Sequence, residues 1–472
     1  MQQLNGIDTF FAHHERPRAP MHIGAMLVYQ RTNNPTHIDG LFGEIRQLFG
    51  DRLPLSPIFR RKLVELPYQM DRPCWIEDAD FQLDRHLHQE PPCTGDRDEL
   101  LARIAALHAE PLDMGQPLWK AHLIDGLGPK QGYPRNSFAL YVKVHHAAMD
   151  GVSGANILAA VNGRTPGGFD PVTDHWQPEI SPQPLELAKR YWRRSVEKPV
   201  RFVAQASHVI PRLRKLKQTR LDPSHQPDIN WQRSPFSGRI CHQRQISRVS
   251  FNMDEIRALR RVLPSTTVNH VILCIVGGAL RQYLIETDQL GSEPLNALIP
   301  MNVRNKDDAA AGNAISLMLA STRSDIADPL QRLQAVRDAA KSARASSEIL
   351  GKRSLGELID NVPVGVEKLL LSTLSALAHW PGGVPSPIHT IVSNVPGPPV
   401  PMYLNHHRLV DMMGLGILMD HIGLFHVANN YEKTMSISAL SSPRSLTEPK
   451  RYERCLQQSY NELKRAALPP GS

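Results

Sequence analysis

Between Thr165 and Pro235 the chain changes texture, and that change restricts it to two folded units. On either side, short strand-like runs interleave with helix-periodic runs. In between, Pro and Gly are frequent at both ends and two basic, helix-like pieces lie inside. A connection of that length is unusual within one compact domain and is often functional. The 472 residues are too many for one ordinary domain and leave each half able to bury its own core. The expected layout is an N-terminal domain (1–164), a linker with basic amphipathic helices (165–235) and a C-terminal domain (236–472).

Both halves mix strands and helices, which gives an α/β or α+β class. In the first half the pattern predicts strands at Met21–Gln30, Lys120–Ile124 and Ser137–His146, with helices at Glu99–Glu110 and Ser153–Val161. In the second half it predicts helices at Asp254–Val262, Val268–Ile285 and Leu330–Ser347, and a partly helical apolar stretch at Leu358–Trp380. The strands there are Gln243–Phe251, Leu295–Pro300, Ala314–Ala320, Ile388–Val392, Leu409–Gly414, His421–Asn429 and Thr434–Ser441.

The net charge of +8 favours a polyanionic partner: nucleic acid, anionic lipid or a phosphorylated cofactor. No zinc-finger, helix-turn-helix or RNA-recognition signature is present, which argues against nucleic acid. The densest basic runs are Lys189–Arg194 and Arg212–Lys217, interleaved with Tyr191, Trp192, Phe202, Val203, Val209 and Ile210. That pattern fits a peripheral helix on anionic lipid or a solvated linker helix. The five cysteines are widely spaced with no CxxC, which argues for a reducing compartment and against a structural zinc site. The N-terminus has no secretory pattern, and no uninterrupted apolar window reaches the ~18 residues of a membrane span. The expected location is cytoplasmic, peripheral to the inner membrane or to lipid inclusions.

The segment that carries chemistry is Val142-Lys143-Val144-His145-His146-Ala147-Ala148-Met149-Asp150-Gly151. On a strand, Phe138, Leu140, Val142, Val144 and His146 share one face, apolar until its last member, while Tyr141, Lys143 and His145 share the other. A histidine ending a buried row is kept neutral by desolvation, the form a general base requires. Asp150, before Gly151 and its sharp turn, either folds back to orient that imidazole or pairs with an arginine and braces the turn. An isolated buried histidine is more often a hydrogen-bonded core residue, and His13-His14 and His406-His407 are pairs without the Asp-Gly sequel. Adjacent strand histidines point apart, so no metal is expected at His145 and His146.

His145-His146-Ala147-Ala148-Met149-Asp150-Gly151 resembles the HHxxxDG signature of CoA-dependent acyltransferases. Nearly the whole chain is similar to the bacterial wax ester synthase/diacylglycerol acyltransferase family. The matching blocks are Leu4–Asp8, Glu15-Arg16-Pro17 through Pro20–Gly24, Pro111-Leu112-Asp113 and Pro117-Leu118-Trp119. They continue at Thr267-Val268-Asn269, Gly278-Ala279-Leu280, Pro300–Arg304 and Ser393–Pro398. One departure stands out: His270 occupies a position where the family usually carries Asp. The resemblance implies two domains of similar architecture, each a mixed sheet with helices, and a tunnel between them. Acyl-CoA would enter from one side and a fatty alcohol or diacylglycerol from the other.

That resemblance implies transfer of a fatty acyl group from acyl-CoA to a long-chain alcohol or diacylglycerol. A thioester is already activated, so direct attack with His146 as general base needs no cofactor, and acyl-CoA is a substrate. GxSxG, P-loop and GxGxxG motifs are absent from the sequence. Asn269 is the candidate oxyanion donor or an ordinary helix cap. Arg304, after Asn302, either pairs with Asp150 across the domains or is a surface cation. Ser393 and Asn394 line the tunnel or form a turn. His145 reads as structural and Pro117-Leu118-Trp119 as core packing. The alternatives are a condensation-type domain using another acceptor and a non-catalytic lipid-binding or lipid-droplet protein.

Overall fold

The computed structural model describes residues 1–32, 40–65, 71–149, 160–167, 172–180, 229–302, 315–350, 385–398 and 400–468, with isolated positions between 182 and 211. The expected helices at Ser153–Val161 (but for its last two residues) and Leu358–Trp380, and nearly all of the basic linker run, lie outside them. In chain order the strands are β1 (Gln2–Gln3), β2 (His22–Gln30), β3 (Arg61–Val64), β4 (Cys74–Glu77), β5 (Leu87–Gln89), β6 (Trp119–Leu127), β7 (Ser137–His145) and β8 (Gln245–Asn252). They continue with β9 (Asn296–Asn302), β10 (Ile315–Ser321), β11 (Thr390–Pro396), β12 (Tyr403–Leu404), β13 (His407–Leu415), β14 (Leu424–Tyr431) and β15 (Thr434–Ser441). The α-helices are α1 (Gly6–His14), α2 (Gly40–Arg52), α3 (Arg97–Ala109), α4 (Met253–Arg261), α5 (Val268–Glu286), α6 (Pro329–Leu350) and α7 (Pro449–Ala467).

Two six-stranded mixed sheets carry the two domains. The first runs β12-β13-β2-β7-β6-β5 and the second β10-β9-β11-β14-β15-β8. Among the described residues, parallel strand pairing is confined to β5–β6 in the first and to β9–β11–β14 in the second. The mixed α/β class and the two-domain layout are therefore as the sequence predicts.

Strand β7 is buried along its whole length, and its alternation decides what covers each face. Phe138, Leu140, Val142 and Val144 pack with Leu41, Ile45, Leu48 and Phe49 of α2. Ala139 and Tyr141 pack with Leu100, Leu101 and Ile104 of α3. Each such Leu or Phe contributes about 1.5–3 kcal/mol on burial. Trp119 is fully buried and donates to the Phe59 carbonyl at 3.0 Å, so Pro117-Leu118-Trp119 is core packing.

In the second domain α4 to α7 build the core over the sheet. Among the described residues α5 alone has the length and apolarity of a membrane span, yet it is buried against α6 and α7. Helices α1, α2 and α7 were not anticipated. In α7 the signal was present: Tyr452, Cys455, Leu456, Ser459, Tyr460 and Leu463 are buried at helical spacing.

One expectation needs correction. The C-terminal unit 236–472 is not self-contained, because β12 and β13 leave it and join the first sheet. Strand β13 pairs with β2 from Arg408↔Gln30 to Leu415↔Gly24, with a register shift between Leu409 and Asp411. The chain thus stitches its two sheets together. Asn429 on β14 accepts from the Gly414 amide at 2.8 Å and donates to the Val395 carbonyl at 3.1 Å, joining β13 to the second sheet.

Candidate active site

The end of β7 is built by three neighbours. Strand β2 pairs beside it, His22 opposite His145. Helix α1, capped by Asn5 accepting from the Asp8 amide at 2.7 Å, lies over the turn. The connection from α1 to β2 folds back through an Arg16↔Ala19 bridge.

His146 does not finish the strand face, as the alternation predicted. The chain leaves β7 after His145 and enters a 3-10 turn, His146–Ala148. His145 makes that turn: its Nδ1 accepts from the Ala147 amide at 3.1 Å. The His146 amide donates to the Met21 carbonyl at 2.8 Å, and its ring stacks on Phe11 of α1, centroids 3.9 Å apart. The ring is half-buried. Burial pushes its pKa down to about 4, with the adjoining His145 as the next cause. At neutral pH the imidazole is uncharged, as a general base requires.

His145 is fully buried, and its Nε2 lies 3.3 Å from Glu15 Oε2, off the line of a good hydrogen bond. The same carboxylate oxygen accepts from the Met21 amide at 2.5 Å. Further along this face Lys143 is buried and donates to the Leu107 and Glu110 carbonyls at 2.7 and 2.8 Å, at the C-terminal end of α3. Burial lowers its pKa to about 8, and the helix end compensates the charge.

The second cluster stands where α5 begins. Asn269 is not the cap; Thr267 is, with its side chain accepting from the His270 amide at 3.3 Å. His270 Nδ1 accepts in return from the Thr267 amide at 3.2 Å, which completes a capping box. His270 therefore performs the capping task of an acidic residue at this position. Asn269, exposed in the first turn, accepts at Oδ1 from Asn394 Nδ2 at 2.5 Å. The structure thus brings Asn269 and Asn394 together. Ser393, half-buried one residue earlier, pairs with Val427 across β11–β14. Asn302 ends β9 opposite Ile315. Its side chain, and all of Asp150, Gly151 and Arg304, lie outside the described residues.

The His270 cap has a consequence for stability. Burial, with Arg337 as the next cause, lowers the His270 pKa below its ordinary value, so the cap works through neutral imidazole. Its contribution is complete above the unfolded value of about 6.5 and is lost as pH falls from there towards the lowered folded value. His270→Asp should keep the acceptor and add charge that favours the helix start. The expected gain is up to about 1 kcal/mol, larger at pH 5 than at pH 8. Melting curves at both pH values check this; equal shifts at the two would refute it.

Glu15 and Phe11 were not singled out as site residues by the sequence. Glu15 sits in a block noted for its resemblance, but nothing local says which histidine its carboxylate meets.

Comparison with known proteins places the whole chain. Residues 4–272 match the family described as wax ester synthase/diacylglycerol acyltransferase catalytic domain, and residues 311–464 match the WS/DGAT C-terminal domain. A putative diacylglycerol O-acyltransferase of Mycobacterium tuberculosis is 30% identical, covering 88% of this chain and 87% of that one. The O-acyltransferase WSD of Acinetobacter baylyi is 28% identical, covering 94% and 93%. Among solved structures, the wax ester synthase/diacylglycerol acyltransferase of Marinobacter aquaeolei VT8 superposes with a TM-score of 0.69 at 24% identity, covering 99% and 100%. A trichothecene 15-O-acetyltransferase from Fusarium sporotrichioides shares the fold at 9% identity, with a TM-score of 0.62 over 98% and 94% of the two chains.

Proposed function

This chain belongs to the wax ester synthase/diacylglycerol acyltransferase family, and from that premise we propose how its residues perform the reaction. It is an acyl-CoA-dependent O-acyltransferase, with acyl-CoA as donor and an alcohol or acylglycerol hydroxyl as acceptor. The observation that carries the proposal is His146: a neutral imidazole, half-buried at the end of a buried strand, held by its backbone and by Phe11.

His146 takes the proton of the acceptor hydroxyl as the oxygen attacks the thioester carbonyl. The CoA thiolate then leaves and recovers that proton from His146. No covalent acyl-enzyme and no cofactor are needed, since the thioester supplies the driving force. The developing oxyanion needs a fixed donor. Asn269 suits this role because Asn394 engages its Oδ1 and leaves the amide NH₂ to donate. Ser393, half-buried on β11 beside Asn394, belongs to the wall of a tunnel between the domains. The acceptor is a long-chain alcohol, giving a wax ester, or diacylglycerol, giving triacylglycerol.

Such acceptors are insoluble in water, so the enzyme works at a lipid surface, cytoplasmic and peripheral to the inner membrane or a lipid inclusion. Ile180, Leu185 and Trp192, all exposed in the linker beside its basic run, support this. One assay tests both parts: a single acyl-CoA with hexadecanol or dioleoylglycerol dispersed in anionic vesicles. Free CoA, ester product and the share of enzyme floating with the vesicles are read together. Acceptor-dependent CoA release and flotation are expected. No release with either acceptor would sink the acyltransfer reading, and no flotation would sink the lipid-surface reading.

A further inference from the structure

We propose that Glu15 is a positioning residue for His146, acting through His145 and through the Met21 backbone. The proposal rests on His146 as the base and assigns a task to the first histidine of the pair. The Ala147 amide donates to His145 Nδ1. That nitrogen must therefore hold a lone pair, and the ring proton must sit on Nε2. Nε2 lies 3.3 Å from Glu15 Oε2, off the line of a hydrogen bond but close enough for the carboxylate charge to favour a proton there, since both side chains are nearly or fully buried. The carboxylate thus selects the tautomer in which His145 can cap the 3-10 turn, and that turn is what carries His146 off the strand face.

The second path is shorter. Glu15 Oε2 also holds the Met21 amide, and the Met21 carbonyl holds the His146 amide. One oxygen therefore fixes the side chain before the base and the backbone beside it. Glu15 follows directly on α1, whose Phe11 stacks on the His146 ring, so the ring face and the turn are set by one segment. Without the carboxylate, His145 is free to carry its proton on Nδ1, where it would oppose the Ala147 amide. The turn would then loosen.

The test uses the full chain. Glu15→Ala is expected to lower kcat about 100-fold, the scale of an ångström-sized misplacement, with acyl-CoA KM within about threefold of the parent. Glu15→Gln retains an acceptor oxygen and should recover at least about tenfold of that loss. A kcat within threefold of the parent for Glu15→Ala, or a loss borne by KM, would overturn the proposal. Should Glu15→Ala not fold, Glu15→Gln carries the test alone. It should lower kcat about 5- to 10-fold in the parent and not at all in a His145→Asn chain, whose amide oxygen caps Ala147 without a tautomer to select. An equal effect in both chains, or none in the parent, refutes the role. His146→Ala separates the two claims: if it is inactive while the Glu15 variants are normal, only this inference fails.

Discussion

His146→Ala is expected to lower turnover by about 10²- to 10⁴-fold or more, the usual worth of a general base. The protein should remain folded. Among the described residues the ring makes one stacking contact, with Phe11, and its Nδ1 has no hydrogen-bond partner, whereas the backbone bond to Met21 does not depend on the side chain. The pH dependence follows from the lowered pKa of about 4. A base is lost when it gains a proton, so the acid limb of kcat/KM belongs near that value and not near the ordinary 6.5. Release of free CoA, measured with circular dichroism on the same samples, checks both. Turnover in a folded His146→Ala chain that equals the parent would refute the mechanism.

The largest expected effect on stability lies at the junction of the sheets. Arg248 on β8 makes a bidentate pair with Asp411 on β13, at 2.6 and 2.7 Å, and also reaches the Met412 carbonyl at 3.2 Å. Tyr133 donates to the same carboxylate at 3.0 Å. Burial opposes the Arg248 charge, but Asp411 outweighs it and holds the pKa above the ordinary arginine value. The side chains are 5% and 17% exposed, so the pair is shielded from solvent screening. Arg248→Met should cost about 3–5 kcal/mol, because it leaves a buried carboxylate without its cation. Replacing both partners with apolar residues should cost less than Arg248→Met alone. Urea unfolding of the single and double variants decides this; a midpoint unchanged in Arg248→Met would exclude a structural role for the pair. The register shift between Leu409 and Asp411 falls at this point, and such irregularities re-aim a side chain off the regular pattern.

Much of the frame was legible. The alternation along Phe138–Val144 tells which residues of β7 share a face, and the apolar row is packed as expected; that the face of Tyr141, Lys143 and His145 is buried as well is known only from the structure. The apolar period of Val268–Ile285 located α5 to within one residue at its C-terminal end. Where the reading failed, a short polar interaction had overridden the period. Alternation carries the strand on to His146, because it does not register that His145 caps a turn. By position Asn269 reads as a cap, because Thr267 and His270, which share that task, show it only once their backbone amides are placed.

What the sequence settled by itself was local: which positions are apolar, at what period, and hence which strands and helices form and which of their faces are buried. It also carried the blocks that place the chain in its family. What only the tertiary structure decided was partnership. Asn269 meets Asn394, Glu15 meets His145, Arg248 meets Asp411, and β13 crosses into the first sheet, all between segments far apart in the chain. Periodicity records that a face is covered, not what covers it. The partner is chosen by strand register and domain packing, which are properties of the whole chain.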